Sequence, residues 1–240
     1  MQVNARQLRE ITADMLDVFT RAGHERTGLY VRGGLISRVV RDERGRASIE
    51  VVSEAALAGV MTRAANFFSI KTREDGTQVR RVDDPPQKVV RDILSLNRWP
   101  LAPIEVVIEA PTMRPDGTIL AEPGYDSFTG LYYAPAAELA FPGVPDQPTR
   151  RQIEDALEMI VGLVADFPFA SPAARANWLG LFLTAVLRPA IRSHVPLALV
   201  DATTQGTGKT MLSELPSILA TGTNPTLLAM PYNGEEWIKT

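Results

Sequence analysis

The 240-residue sequence contains no cysteine, only two histidines and only four lysines. The lack of cysteine excludes disulfide bonds and thiolate-bound metals. His24 and His194 are far apart in the sequence, and neither lies in a cluster of Asp, Glu or His. A zinc site or a histidine-based catalytic triad therefore has little support.

A long uninterrupted apolar run is also missing. The longest candidate, residues 178–200, is broken by Arg188, Arg192 and two prolines. Charges at such positions are costly in a bilayer, so the run is better explained as a buried helix followed by a strand. The first residues have no basic start followed by an apolar core, as a secretory signal would. We therefore expect no membrane partner and a cytoplasmic location.

Charge is unevenly distributed along the chain. The net charge is −3, but residues 1–100 contain 17 Lys and Arg against 13 Asp and Glu, whereas residues 101–240 contain 8 against 15. Arginine suits bidentate contact with phosphate, although an arginine-rich genome would produce the same bias. The basic first part is compatible with contact to DNA.

Hydrophobic spacing and turn residues predict a mixed α+β accessory domain over residues 1–140. Helices are predicted over residues 4–20, 53–66 and 84–96. Strands are predicted over residues 29–32, 35–40, 47–52, 67–72, 78–82, 104–110, 118–121 and 131–134. The class expected for the whole chain is α/β.

A proline-rich linker is predicted over residues 141–148, because three prolines within seven positions stiffen the chain. Beyond it, residues 149–240 are predicted to form a helical lead-in and the first part of a P-loop NTPase domain. Residues 149–166 have helical spacing, and Ser171 followed by Pro172 is typical of a helix start.

The segment Leu197–Leu212, L-A-L-V-D-A-T-T-Q-G-T-G-K-T-M-L, carries the most specific signal. Its first four residues have the composition of a buried parallel strand. A loop of small and polar residues follows, and Gly208-Lys209-Thr210 then opens a predicted helix. A strand, a glycine loop and Lys-Thr at a helix start are the context of a phosphate-binding P-loop. Thr203 occupies the position of the first glycine in that pattern.

These residue types suit a triphosphate. Gly206 and Gly208 let backbone N–H groups curl around phosphates, and the helix adds the positive end of its dipole. Lys209 would contact the β- and γ-phosphates of ATP, and the Thr210 hydroxyl would be a ligand of Mg²⁺. The predicted nucleotide-binding residues are Thr203, Thr204, Gln205, Gly206, Thr207, Gly208, Lys209, Thr210 and Met211.

A P-loop ATPase also needs an acidic residue at the end of a second strand, to hold Mg²⁺ and activate water. No apolar strand ending in Asp or Glu follows Thr210. No catalytic residue is therefore assigned. We expect the sequence to be a fragment that ends inside the nucleotide-binding domain and is inactive on its own.

Three other groups of residues have competing explanations. Asp201 is either near the expected metal or caps the loop backbone. Arg188 and Arg192 either face phosphates or complement a helix C-terminus. An aromatic group either stacks on bases or packs in a core, and packing is the preferred explanation. Its members are Tyr125, Phe128, Tyr132 and Tyr133.

Several segments together resemble the ATPase subunits of phage and plasmid replication proteins, which are superfamily-3-like AAA+ helicases and primase-helicases. The resemblance rests on P-D-G-T-I-L (115–120), P-G-Y-D-S-F-T-G-L-Y-Y (123–133), two helices after the linker, and V-D-A-T-T-Q-G-T-G-K-T (200–210). It implies MgATP binding and hydrolysis, a homo-oligomeric ring with ATP between subunits, and translocation on single-stranded DNA.

Two other functions remain open. A P-loop kinase needs an arginine-bearing lid after the loop, and Thr210–Thr240 contains no arginine. A non-catalytic adaptor would bind DNA or a partner through residues 1–140 and carry a vestigial P-loop, which Thr203 in place of glycine would fit.

Overall fold

The computed structural model describes residues 1–135, 143–145, 147–191, 193–222, 224–225 and 227. The backbone separates into two compact units. The first comprises Met1–Val107 and Pro123–Ala137, and the second comprises Ile108–Glu122 and Glu138–Thr240. Residues 108–122 thus belong to the second unit, whereas the predicted domain boundary places them in the first.

The described chain contains both helices and short strands in small mixed sheets, and this confirms the predicted α/β class. The helices are α1 (Leu8–Thr27), α2 (Glu54–Ala64), α3 (Gln87–Ser95), α4 (Arg150–Gly162), α5 (Pro172–Val186) and α6 (Lys209–Thr221). The strands are β1 (Tyr30–Arg32), β2 (Leu35–Arg41), β3 (Ala47–Val51), β4 (Phe67–Thr72), β5 (Gln78–Asp83), β6 (Ala102–Pro103), β7 (Val107–Ile108), β8 (Thr112–Met113), β9 (Ile119–Leu120), β10 (Gly124–Asp126) and β11 (Leu131–Tyr133).

The main sheet of the first unit has the strand order β3-β2-β1-β6. Strands β1 and β2 form an antiparallel hairpin in which Arg32 pairs with Leu35, and β6 runs parallel to β1. The two hairpin residues, Gly33 and Gly34, both have positive φ (55° and 76°), as a type I′ turn requires. A separate antiparallel hairpin is formed by β4 and β5.

Three helices provide the core of the first unit. Ile11, Met15 and Phe19 recur every four residues along α1, and all three are fully buried. This spacing places them on one face of a helix. They belong to the same buried cluster as Leu57 and Met61 of α2. Val89, Val90 and Ile93 of α3 complete this cluster together with side chains from the sheet.

Helix α1 is interrupted at Gly23, whose backbone (φ 67°, ψ 177°) is not helical. The chain resumes a helical turn, and the Thr27 hydroxyl donates to the Gly23 carbonyl over 2.7 Å. Gly28 ends the element in the left-handed conformation. The structure therefore extends the predicted helix by one further turn beyond the break.

The second unit is built on helices α5 and α6. Val164, Trp178 and Phe182 are buried together, and the Trp178 and Phe182 rings are stacked with centroids 6.1 Å apart. The Trp178 indole N–H donates to the Leu212 carbonyl of α6 over 3.0 Å. Strands β8 and β9 form a short antiparallel pair, and the Thr112 hydroxyl donates to the Val186 carbonyl at the end of α5.

The strand predicted over Leu197–Val200 is not formed. The backbone there has no strand partner among the described residues, and the Leu197 and Leu199 side chains are 97% and 89% exposed. A parallel strand is stable only when neighbouring strands pair with it and helices cover its faces. The predicted strand over 104–110 is likewise reduced to β7.

Some predictions fall on residues outside the described ranges. The sequence also predicts a strand over 226–230 and a helical turn at 233–240, and apart from Leu227 these positions lie outside the described ranges, as do positions 141, 142 and 146 of the predicted linker. Within the described part of the chain, no helix is long and apolar enough to cross a membrane.

Candidate phosphate-binding loop

The loop before α6 ends in two glycines with left-handed backbone. Gly206 has φ 78°, and Gly208 has φ 81° and is the N-cap of α6. Residues with a Cβ rarely adopt this conformation, whereas glycine adopts it at little cost. The sequence G-T-G thus turns the chain sharply at the point where the helix begins, as the P-loop interpretation predicts.

The N-terminus of α6 carries no cap from a side chain and no acidic residue in its first turn. The Leu212 N–H donates to the Gly208 carbonyl over 2.9 Å. The amides of Lys209, Thr210 and Met211 precede this i→i−4 bond, so they have no such bond within the helix. These N–H groups and the positive end of the helix dipole together favour an anion at this position.

Lys209 turns back over the loop from the first position of α6. Its Nζ lies 3.4 Å from the carbonyl oxygen of Ala202, seven residues earlier. No carboxylate among the described residues forms an ion pair with this ammonium group. Its charge therefore adds to that of the helix N-terminus.

The remaining predicted residues differ in their surroundings. The side chains of Thr203, Thr204, Gln205, Thr210 and Met211 are exposed to solvent. The Thr207 hydroxyl donates to the Thr204 carbonyl over 3.4 Å and closes the loop on itself. All nine predicted residues thus lie in one continuous loop and helix start.

Asp201 acts on the loop backbone. Its Oδ1 accepts a hydrogen bond from the Ala202 N–H over 2.8 Å. This hydrogen bond is the capping of the loop backbone, which the sequence analysis gave as the alternative to a role near the metal. Arg188 similarly donates to the Ile191 carbonyl over 2.7 Å, just beyond α5. Arg192 lies outside the described residues.

Phe167 supports the loop from the segment between α4 and α5, and sequence reasoning missed it. A Cβ built on Gly208 would lie 2.9 Å from Cε1 of the Phe167 ring. Gly208 is therefore required both by its backbone angle and by this close approach. The sequence signal that could have pointed to this contact is a pair of apolar residues, Phe167 and Phe169, in the segment between two predicted helices.

The metal-binding prediction has one candidate ligand in this region, the hydroxyl of Thr210. No group of three or more His, Asp or Glu side chains that could hold a metal occurs within the described ranges. The loop residues fit the phosphates of a nucleotide. A hydroxyl alone does not hold Mg²⁺, which takes its other ligands from phosphate oxygens, carboxylates and water.

The aromatic residues of the first unit form a packed cluster rather than an open stacking surface. Tyr125 and Tyr132 pair across β10 and β11, and Tyr30 and His24 join them with ring centroids 4.6 to 6.4 Å apart. The Tyr125 hydroxyl donates to the Pro103 carbonyl over 2.6 Å. Tyr133 is buried separately and Phe128 is 56% exposed.

Burial within this cluster raises the pKa of Tyr30 to about 12, with smaller contributions from Tyr132, Tyr125 and Glu25. Burial likewise raises the pKa of Tyr125, with Asp126 and Glu105 contributing. Both phenols therefore keep their protons to a higher pH than an ordinary tyrosine.

No family model, curated protein or solved structure matches this chain. The resemblance to replication ATPases stays a prediction carried by the sequence motifs.

Proposed function

We propose that residues 203–211 bind the phosphates of MgATP. We further propose that the chain is the ATP-binding portion of a DNA replication helicase or primase-helicase of a mobile element. The observation that carries the proposal is the pair of left-handed glycines at the head of α6, with Lys209 turned back across the loop. Three sources of positive potential thus lie within a few residues. They are the N–H groups of the first α6 turn, the positive end of the helix dipole and the Lys209 ammonium group.

The glycines, the helix start and Lys209 have distinct parts in the proposed binding. A Cβ on Gly206 would meet no atom within 4 Å, so the backbone there leaves room for phosphate oxygens, whereas the missing side chain of Gly208 makes room for the Phe167 ring. The free amides of the first α6 turn donate hydrogen bonds to these oxygens. Lys209 supplies a full charge and would exchange its long bond to the Ala202 carbonyl for a phosphate oxygen.

Mg²⁺, when bound with ATP, neutralises part of the phosphate charge. The Thr210 hydroxyl would supply one ligand, beside phosphate oxygens and water. In a replication helicase, ATP hydrolysis at subunit interfaces would drive a homo-oligomeric ring along single-stranded DNA. No described residue is assigned as the catalytic base, so the proposal for this chain is nucleotide binding.

Equilibrium binding of MgATP by isothermal titration tests the proposal. Lys209→Ala is expected to weaken binding at least tenfold, since one charge-assisted contact contributes about 1.5–3 kcal/mol. Lys88→Ala is the matched control, because Lys88 is an exposed lysine of the other unit. Equal Kd values for the parent and Lys209→Ala, or no binding by the parent, would contradict the proposal.

A further inference from the structure

A second region with unusual charge lies in the first unit. A cavity of about 410 Å³ opens between α1 and α2, and its lining includes Arg21, Arg26 and Arg63. Apolar side chains, among them Val18 and Val60, line the rest. This volume is within the range of small-molecule sites, roughly 300–1,000 Å³. The proposed function of residues 203–211 does not involve this cavity.

The three arginines are not neutralised by carboxylates. No lining residue is acidic, and no ion pair to Arg21, Arg26 or Arg63 occurs among the described residues. The Arg21 Nε–H donates to the backbone carbonyl of Asp17 over 3.2 Å, which leaves its two terminal nitrogens available.

Three other arginines of the same unit are paired with acids. Arg6 bonds to Asp14 over 2.7 Å, Arg38 contacts Glu50, and Arg91 contacts Glu54. Arg9, Arg44 and Arg98 likewise have no ion pair among the described residues, so what distinguishes Arg21, Arg26 and Arg63 is that all three line one cavity.

The break in α1 explains how Arg21 and Arg26 reach the same cavity. Residues five apart on an uninterrupted helix point about 140° away from each other. The non-helical backbone of Gly23 lies between the two arginines and changes the direction of the chain. The Thr27 hydroxyl bond to the Gly23 carbonyl holds the turn that follows.

Arg63 lines the cavity from α2, and its guanidinium lies beside Gly59 of the preceding turn. Its Nη1 lies 3.4 Å from the position that a Cβ on Gly59 would take. The guanidinium therefore lies back along the helix surface, over the preceding turn. Three guanidinium groups from two helices thus surround a partly apolar space.

We propose that this cavity binds a phosphate-bearing nucleotide, either free or as one unit of single-stranded DNA. Guanidinium groups bind phosphate oxygens in bidentate fashion, and their planes also stack on bases. The cavity is larger than a phosphate ion, and its apolar wall suits the sugar or base attached to that phosphate. The excess of Lys and Arg over Asp and Glu in residues 1–100 adds a favourable long-range potential.

The test uses the full chain carrying Lys209→Ala, so that the loop before α6 does not contribute. Arg26→Gln/Arg63→Gln is compared with Arg9→Gln/Arg44→Gln, which removes the same charge from exposed arginines outside the cavity. The probes are a fluorescent twelve-nucleotide oligothymidylate, measured by anisotropy, and thymidine monophosphate, measured by titration.

The cavity variant is expected to lose at least tenfold in affinity for one or both probes, and the control variant less than threefold. Loss for the oligonucleotide alone identifies a strand as the ligand, and loss for the monophosphate alone identifies a free nucleotide. Arg26→Lys/Arg63→Lys keeps the charge but lacks bidentate geometry, so it should bind between the parent and the glutamine variant. Absence of binding to both probes, or equal losses in the cavity and control variants, would overturn the proposal.

Discussion

Tyr30 is the residue whose ionisation is most strongly coupled to the packing of the first unit. Its ring is buried against His24, Tyr125 and Tyr132. Its hydroxyl has no hydrogen-bond partner among the described residues. Burial disfavours the charged phenolate, and Tyr132, Tyr125 and Glu25 add to this effect, so the pKa of Tyr30 rises to about 12.

This shift predicts a loss of stability at high pH. An unfolded tyrosine ionises near pH 10. Between pH 10 and about 12 the unfolded chain therefore releases a proton that folded Tyr30 retains. The free energy of unfolding should fall as pH rises through this range, and Tyr30 should contribute nothing to the pH dependence below it.

Tyr30→Phe should make this alkaline decline shallower, because phenylalanine keeps the ring and cannot ionise. Urea unfolding of the parent and the variant at pH 8, 10, 11 and 12 measures the effect. The difference in the free energy of unfolding between the two proteins at pH 8 reports the change in packing. It is subtracted from the differences measured at higher pH. An identical decline of the free energy of unfolding in both proteins would show that ionisation of Tyr30 does not cause the loss of stability at high pH.

At the scale of elements, two glycines fix where α6 begins, and they can be tested separately. Gly206 and Gly208 have nearly the same φ, but a Cβ would meet no atom within 4 Å at Gly206 and Cε1 of Phe167 at 2.9 Å at Gly208. Gly206→Ala should cost about 1–2 kcal/mol of stability from the left-handed backbone alone. Gly208→Ala should cost more, because the Phe167 ring must also move.

Chemical denaturation with circular dichroism measures both substitutions. Phe167→Leu provides the control, since a smaller side chain should reduce the extra cost of Gly208→Ala and leave that of Gly206→Ala unchanged. Equal costs for the two glycine substitutions in the parent would mean that Phe167 does not restrict the start of α6.

Elements whose signals are local were predictable from the sequence. Ser53, Thr149 and Ser171 each accept a hydrogen bond from the backbone N–H three residues later, and each precedes a predicted helix. The Gly33-Gly34 hairpin is set by its turn residues in the same way. Such signals need only neighbouring residues, and sequence patterns capture them.

Features that depend on distant partners were not predictable in this way. The apolar run Leu197–Val200 has the composition of a strand, but a strand also needs another segment to pair with it. Phe167 approaches Gly208 from 41 positions earlier in the chain, and Tyr30 joins Tyr125 from a different hairpin. The left-handed backbone of Gly206 and Gly208 and the helix start at Lys209 follow from their own short motif, so local signals were sufficient to predict that part of the loop backbone.

At the scale of the whole molecule, the buried clusters formed by the described residues differ in size between the two units. Thirteen buried apolar residues form one cluster in the first unit. The buried cluster of the second unit contains Val164, Trp178 and Phe182 among the described residues. Because burial of apolar surface is the main stabilising contribution, the first unit should be the more stable.

Hydrogen exchange with mass spectrometry can follow the two units separately. Amides in α5 and α6 should exchange faster than the core amides of α1, α2 and α3, since exchange reports local and sub-global opening. MgATP should slow exchange in α6 if it binds at the head of that helix, because a ligand stabilises the state that binds it.

Two core substitutions, followed by the same hydrogen-exchange measurement, test whether the two cores unfold independently. Leu57→Ala empties a fully buried site and should cost about 2–5 kcal/mol, with faster exchange in α1–α3. Trp178→Phe removes the hydrogen bond to the Leu212 carbonyl and should accelerate exchange in α5 and α6. Each substitution should leave the other unit unchanged, because the buried clusters share no residue. If Leu57→Ala accelerated exchange equally in α6, the chain would unfold as one cooperative unit, and the nucleotide loop would depend on the stability of the first core.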